Sequence, residues 1–180
     1  MSSKRAVSPH WWVVAVVAAV ALVADLSSKK WALSALAHGA TYPLGTRFLT
    51  LHLVHNPGAA FSLGSEFTWV FTVLSVGIIA AAAWYSLRVE SVWLAVLLGL
   101  LIGGALGNLY DRLTRPPAFG QGEVVDFISY GDLFVGNVAD IWIVGAAVGV
   151  VLWALWPSQG RNQPGSATQE ETADTDVEVV

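Results

Sequence analysis

Four stretches without a charged residue, 8–24, 67–87, 91–110 and 141–156, divide the chain. Each is long enough, or nearly so, to cross a hydrocarbon core of ~30 Å as a helix. The first and last are short and gain length from polar boundary residues, which places the spans at about 8–26, 67–87, 91–111 and 138–156. Between the first two spans the period changes. Leu49, Leu51 and Leu53 alternate with Thr50 and His52, and Asn56-Pro57-Gly58 follows as turn chemistry, so 46–63 reads as a small strand-rich element on the membrane surface. Beyond Pro157 the sequence turns polar and then acidic. The expectation is an all-α integral membrane protein of four transmembrane helices with a small extracytoplasmic β-element, in one domain over 1–157. A disordered tail is expected over 158–180.

Composition supports this reading. A hydrophobic content of 55%, a charged content of 12% and a mean hydropathy of +0.60 exclude an ordinary soluble domain of this length. Eight of the nine Trp, namely Trp11, Trp12, Trp69, Trp84, Trp93, Trp142, Trp153 and Trp156, fall near the ends of the apolar runs, where indole rings anchor at the headgroup level. The net charge of −4 comes largely from Glu170, Glu171, Asp174, Asp176 and Glu178 in the tail and points to no nucleic-acid partner. The absence of Cys removes disulfides, thiolate metal sites and a cysteine nucleophile. The first span also has features of a cleavable signal peptide, with Lys4 and Arg5 before it and Leu22-Val23-Ala24 as a processing site, but three further spans follow. Positive charges are nearly balanced between the two sides, and the Lys-Arg pair ahead of the first span favours a cytoplasmic N-terminus.

Orientation matters less than convergence. With four crossings, the end of span one, the start of span two, the end of span three and the start of span four all lie on one side. Asp25, Lys29, Asn56, Asn108, Asp111, Arg112, Asp126, Asn137 and Asp140 therefore gather at one face. In a helix, Asn108, Asp111 and Arg112 share a side at i, i+3 and i+4, and Gly103, Gly104 and Gly107 beside them allow close helix approach. An ionised acid near hydrocarbon is costly unless paired, hydrated or functional. Two such acids, Asp126 and Asp140, suggest carboxylates sharing one proton, the chemistry of an aspartic protease. His52 and His55 lack a third ligand at suitable spacing and are expected to be solvated or turn-satisfying. The competing reading is a small proton-coupled transporter subunit with Asp25, Asp111, Asp126 and Asp140 as a relay, or a noncatalytic scaffold held together by these polar residues.

Five motifs decide between these readings: Asp25-Leu26-Ser27-Ser28-Lys29, Asn56-Pro57-Gly58-Ala59-Ala60-Phe61, Gly103 through Arg112, Val125-Asp126-Phe127-Ile128 and Asn137-Val138-Ala139-Asp140. In this order, and over nearly the whole chain apart from the tail, the sequence resembles the type II, or lipoprotein, signal peptidases of bacteria. The resemblance implies an intramembrane aspartic endopeptidase with Asp126 and Asp140 as its catalytic pair. Asp25, Lys29, Asn56, Gly58, Asn108, Asp111, Arg112 and Asn137 become supporting or substrate-contacting positions. It implies a diacylated prolipoprotein as substrate, cut just before the lipid-modified cysteine, and an inner-membrane location with the active site on the extracytoplasmic side. No metal or organic cofactor is implied; membrane lipid is an expected partner and a monomer the expected state. Two departures from the family pattern concern the substrate entrance: Gly136 stands where an aromatic is usual, and the connector between the two aspartates is short.

Overall fold

The computed structural model describes residues 8–45, 48–58, 67–131 and 133–156. The expected tail at 158–180 and the Ala59–Phe61 end of the second motif lie outside these residues. Among the described residues, four helices are long and apolar enough to cross a membrane: α1 (Trp11–Ala35), α2 (Thr68–Ser86), α3 (Val92–Thr114) and α4 (Val138–Leu155). Four short strands among the same residues, β1 (Tyr42–Pro43), β2 (Leu49–Asn56), β3 (Val124–Tyr130) and β4 (Phe134–Gly136), form one antiparallel sheet in the order β1-β2-β3-β4.

Helix α3 is the buried axis of the bundle; α1, α2 and α4 pack around it and leave most of their apolar surface for lipid. Lipid tails are as apolar as leucine, so this association rests on close packing. The glycines of α3 supply it. A Cβ on Gly103 would stand 2.5 Å from the Ala18 carbonyl oxygen of α1, and one on Gly104 would stand 2.7 Å from the Ala139 carbonyl oxygen of α4. At the end away from the sheet, Val14, Ala18, Ala82, Leu94, Ala95 and Leu98 close the core.

Helix α1 does not end near residue 26, as its charges suggested, but continues to Ala35. The physical reason is that Asp25 and Lys29 are paired inside the protein, so they do not mark a water boundary. The extra turns bury Ala32 and Leu36 against Val125 and Phe127 of β3, with Trp31 edge-on to Phe127 at 6.3 Å between ring centroids. The alternation at 49–53 does form a strand, but its principal partner, β3, lies far along the chain, beyond α2 and α3, and carries Asp126. The register is irregular at this point. Leu51 faces Ile128 and Val54 faces Asp126, leaving His52 and Leu53 opposite Phe127 alone, a bulge beside the candidate carboxylate.

Candidate active site

Asp140 is placed by helix capping. Asn137 is the N-cap of α4, accepting the Asp140 backbone N–H on its side-chain oxygen at 3.1 Å, while Asp140 Oδ2 accepts the Asn137 backbone N–H at 3.0 Å. Two donors orphaned by the helix start are thus satisfied reciprocally. The remaining Asn137 group, Nδ2, donates to Asp126 Oδ1 at 2.7 Å and to Asn108 Oδ1 at 3.1 Å. Asn108 Nδ2 in turn donates to Asp140 Oδ1 at 2.9 Å, and Asn56 Nδ2 donates to Asp126 Oδ2 at 2.8 Å. Every oxygen of Asp126 and Asp140 therefore accepts an N–H, and the three asparagines come from β2, α3 and the start of α4.

A layer of charge lies behind the amides. Lys29 Nζ donates to Asn108 Oδ1 at 2.9 Å and forms ion pairs with Asp25 Oδ2 at 2.7 Å and Asp111 Oδ2 at 3.0 Å. Arg115 pairs with the other oxygen of Asp111. Arg115 was not singled out in the sequence, although its i, i+4 spacing from Asp111 was an available signal. Asn108, Asp111 and Arg112 do share a helix side, yet they serve different neighbours. Arg112 donates to the Gly58 carbonyl at 2.6 Å, reaches the Gly122 carbonyl at 3.4 Å and packs over Phe71 at 5.4 Å. It ties the β2 turn and the loop before β3 to α3.

Asp126 and Asp140 both face a cavity of about 740 Å³ whose wall includes Asn56, Arg112, Phe71, Phe134, Ile143 and Val144. Burial, reinforced by the charge of Asp140, pushes the Asp126 carboxyl up to about 7, while the Asn56 and Asn137 amides and the Lys29 charge pull the other way. Gly136, the departure noted in the sequence, is close to this centre: a Cβ there would stand 2.9 Å from Asp140 Oδ2 and 3.6 Å from the Phe134 ring. His55 lies apart, in a surface pocket with Arg115 and Glu123. The four acids of the relay reading form one cluster at the sheet end of the bundle. Nothing in the sequence marked the bulge at 52–53 as part of this site.

Gly107 is a sensitive point of this assembly, because an added Cβ would fall on the Asp25 carboxylate, itself held by Lys29 and the Ala139 N–H at 2.9 Å. Gly107→Ala is expected to cost about 1–3 kcal/mol of stability through overpacking. Gly77→Ala, where nothing lies within 4 Å, is the control. Thermal melts in detergent should show a lowered transition for the first and none for the second; equal transitions would refute the contact.

The comparisons place the fold in a known family. A profile of the signal peptidase (SPase) II family matches residues 17–156. The lipoprotein signal peptidase of Leifsonia xyli subsp. xyli is 44% identical over 162 residues, 89% of this chain and 74% of that protein. That of Mycobacterium avium is 41% identical over 140 residues, 78% of this chain and 77% of that protein. Two bacterial membrane enzymes solved by the in meso method, at 2.3 and 1.9 Å, share the fold with TM-scores of 0.74 and 0.70 at 23% and 24% identity. They cover 85% and 81% of this chain and 93% and 94% of their own. Fold and site thus define a multi-span membrane protein of the bacterial peptidase class. Within that class the chain belongs to the signal peptidase II family, whose enzymes remove signal peptides from prolipoproteins.

Proposed function

We propose that Asp126 and Asp140 are the catalytic pair of this peptidase and that they hydrolyse the bond just before a diacylglyceryl-modified cysteine. The observation that carries this is their shared cavity, faced by two carboxylates whose oxygens are all oriented by amide donors. Asp140, at the start of α4 where a negative charge is favourable, takes a proton from a water as that water adds to the scissile carbonyl. Asp126, protonated near neutrality, donates to the carbonyl oxygen. The tetrahedral intermediate then collapses: the C–N bond breaks, the proton held by Asp140 passes to the cysteine amine, one hydroxyl returns its proton to Asp126, and the new acid group remains on the signal peptide. Asn56, Asn108 and Asn137 orient the carboxylates, while Gly58, Arg112 and Phe71 shape the entrance.

The chain is read as an inner-membrane protein whose sheet end faces the extracytoplasmic side, with lipid around α1, α2 and α4. The Lys4-Arg5 pair ahead of α1 supports that orientation. A monomer suffices, since every group of the site comes from one chain. The peptidase unit is assigned to 1–157, with 158–180 as an accessory tail.

The test is a cleavage assay with purified enzyme and diacylated prolipoprotein across pH. Asp126 holds its proton below about 7 and loses it above, so kcat/KM should fall on the alkaline side with a midpoint near pH 7. A rate that stays flat through the alkaline range would remove Asp126 as the acid.

A further inference from the structure

The two catalytic aspartates are preceded in sequence by residues whose backbone N–H groups have a common kind of partner. Ala139 N, one residue before Asp140, donates to Asp25 Oδ1 at 2.9 Å. Val125 N, one residue before Asp126, donates to Asp111 Oδ2 at 3.2 Å. Asp25 and Asp111 are both 0% exposed, and the 1% exposed Lys29 bridges them at 2.7 and 3.0 Å. Lys29 also donates to Asn108, which holds Asp140 itself. On the rest of the fold, the bearers of the dyad have no common element: Asp126 is on a strand and Asp140 on a helix.

We propose that Asp25, Lys29 and Asp111 form a clamp that sets the spacing of the two catalytic carboxylates, with Lys29 as its bolt. This rests on the dyad reading given above and adds three positioning residues to it. A buried ion cluster is a poor device for stability alone, because apolar side chains of similar volume do as well or better. It is a good device for fixing distance. One buried ammonium ion-pairs with two carboxylates, and each carboxylate accepts a charge-assisted hydrogen bond, short and directional, from the backbone beside one half of the reaction centre. Arg115 occupies the remaining oxygen of Asp111 and stops that carboxylate from turning away. Misplacement of a catalytic group by about 1 Å costs on the order of 100-fold in rate, so a clamp matters to turnover more than to substrate capture, which the cavity wall supplies.

Three measurements on the full-length enzyme in detergent test the clamp: the melting transition, kcat on lipidated precursor, and the Kd of a non-cleavable diacylated peptide. Lys29→Met should lower kcat by roughly 30-fold and leave Kd within threefold. Asp25→Asn and Asp111→Asn should each lower kcat, and the double variant should be no slower than the slower single one, since either opens the same clamp. Should Lys29→Met fail to fold, Lys29→Met/Asp25→Asn replaces it; the new amide oxygen at position 25 still accepts the Ala139 N–H, Asp111 keeps Arg115, and the same split between kcat and Kd is expected. An unchanged kcat in folded protein, a parallel loss of kcat and affinity, or multiplying losses in the double variant would each overturn the clamp. Asp126→Asn and Asp140→Asn in the same assay separate the two ideas: if they are inactive while the clamp variants are not impaired, the dyad stands and only the clamp falls.

Discussion

Asp126→Asn and Asp140→Asn are each expected to lower kcat by about 10⁴-fold, with the melting transition largely retained and the non-cleavable substrate still bound. The expectation follows from what an amide can and cannot replace. Asparagine keeps the volume of the carboxylate and still accepts N–H donors on its oxygen, but it can neither take a proton from water nor donate one to a carbonyl with comparable acidity. Groups that act as a unit lose their function together, so the double variant should be only slightly slower than either single one. At position 140 the substitution also bears on folding, since the new side-chain amide would keep the acceptor for the Asn137 N–H in only one of its two orientations. Both oxygens of Asp126 also accept N–H donors, so a modest drop in melting temperature is expected at each position. A single variant with a tenth of the parent rate would exclude the dyad.

The second large effect concerns the substrate. A precursor carrying the diacylglyceryl-cysteine should be cleaved roughly 100-fold faster or more, in kcat/KM, than a matched Cys→Ser precursor in the same vesicles. Both have a signal helix and both insert. The acyl chains gain little by leaving lipid for the apolar wall of the cavity, so their contribution is geometric: two chains anchor far more firmly than one, and they hold the scissile bond at the depth of Asp126 and Asp140. Unmodified precursor must find that depth by chance. Equal rates would mean a general intramembrane aspartic protease in place of a lipoprotein-specific one.

The uncharged runs made the four helices legible, and Asp126 and Asp140, the pair proposed as catalytic, stood out because carboxylates in such apolar surroundings have no evident structural use. What stayed hidden has specific physical causes. Asp25, Lys29 and Lys30 looked like a water boundary, whereas Asp25 and Lys29 neutralise each other in the interior and α1 runs on beneath the sheet. Strand β3 was missed because its pairing with β2 is long-range, although Val124-Val125-Asp126-Phe127-Ile128 is rich in the β-branched and aromatic residues that favour strands. The amide network joins Asn56, Asn108 and Asn137 across three elements, and no local pattern announces a contact of that kind. Arg115 was readable from its i, i+4 spacing to Asp111.

The position of the Asp25–Lys29 pair has a consequence for how the protein is made. The two residues are one helical turn apart on the same helix, so the earliest of the four spans to leave the ribosome brings its own counterion and can enter the bilayer nearly neutral, before the others exist. Its partners Asn108, Asp111 and the Ala139 N–H arrive only with the third and fourth spans. Until α4 is inserted, Asp140 and the Ala139 N–H have no place in the assembly, so the proposed pair of carboxylates comes together only with the fourth span.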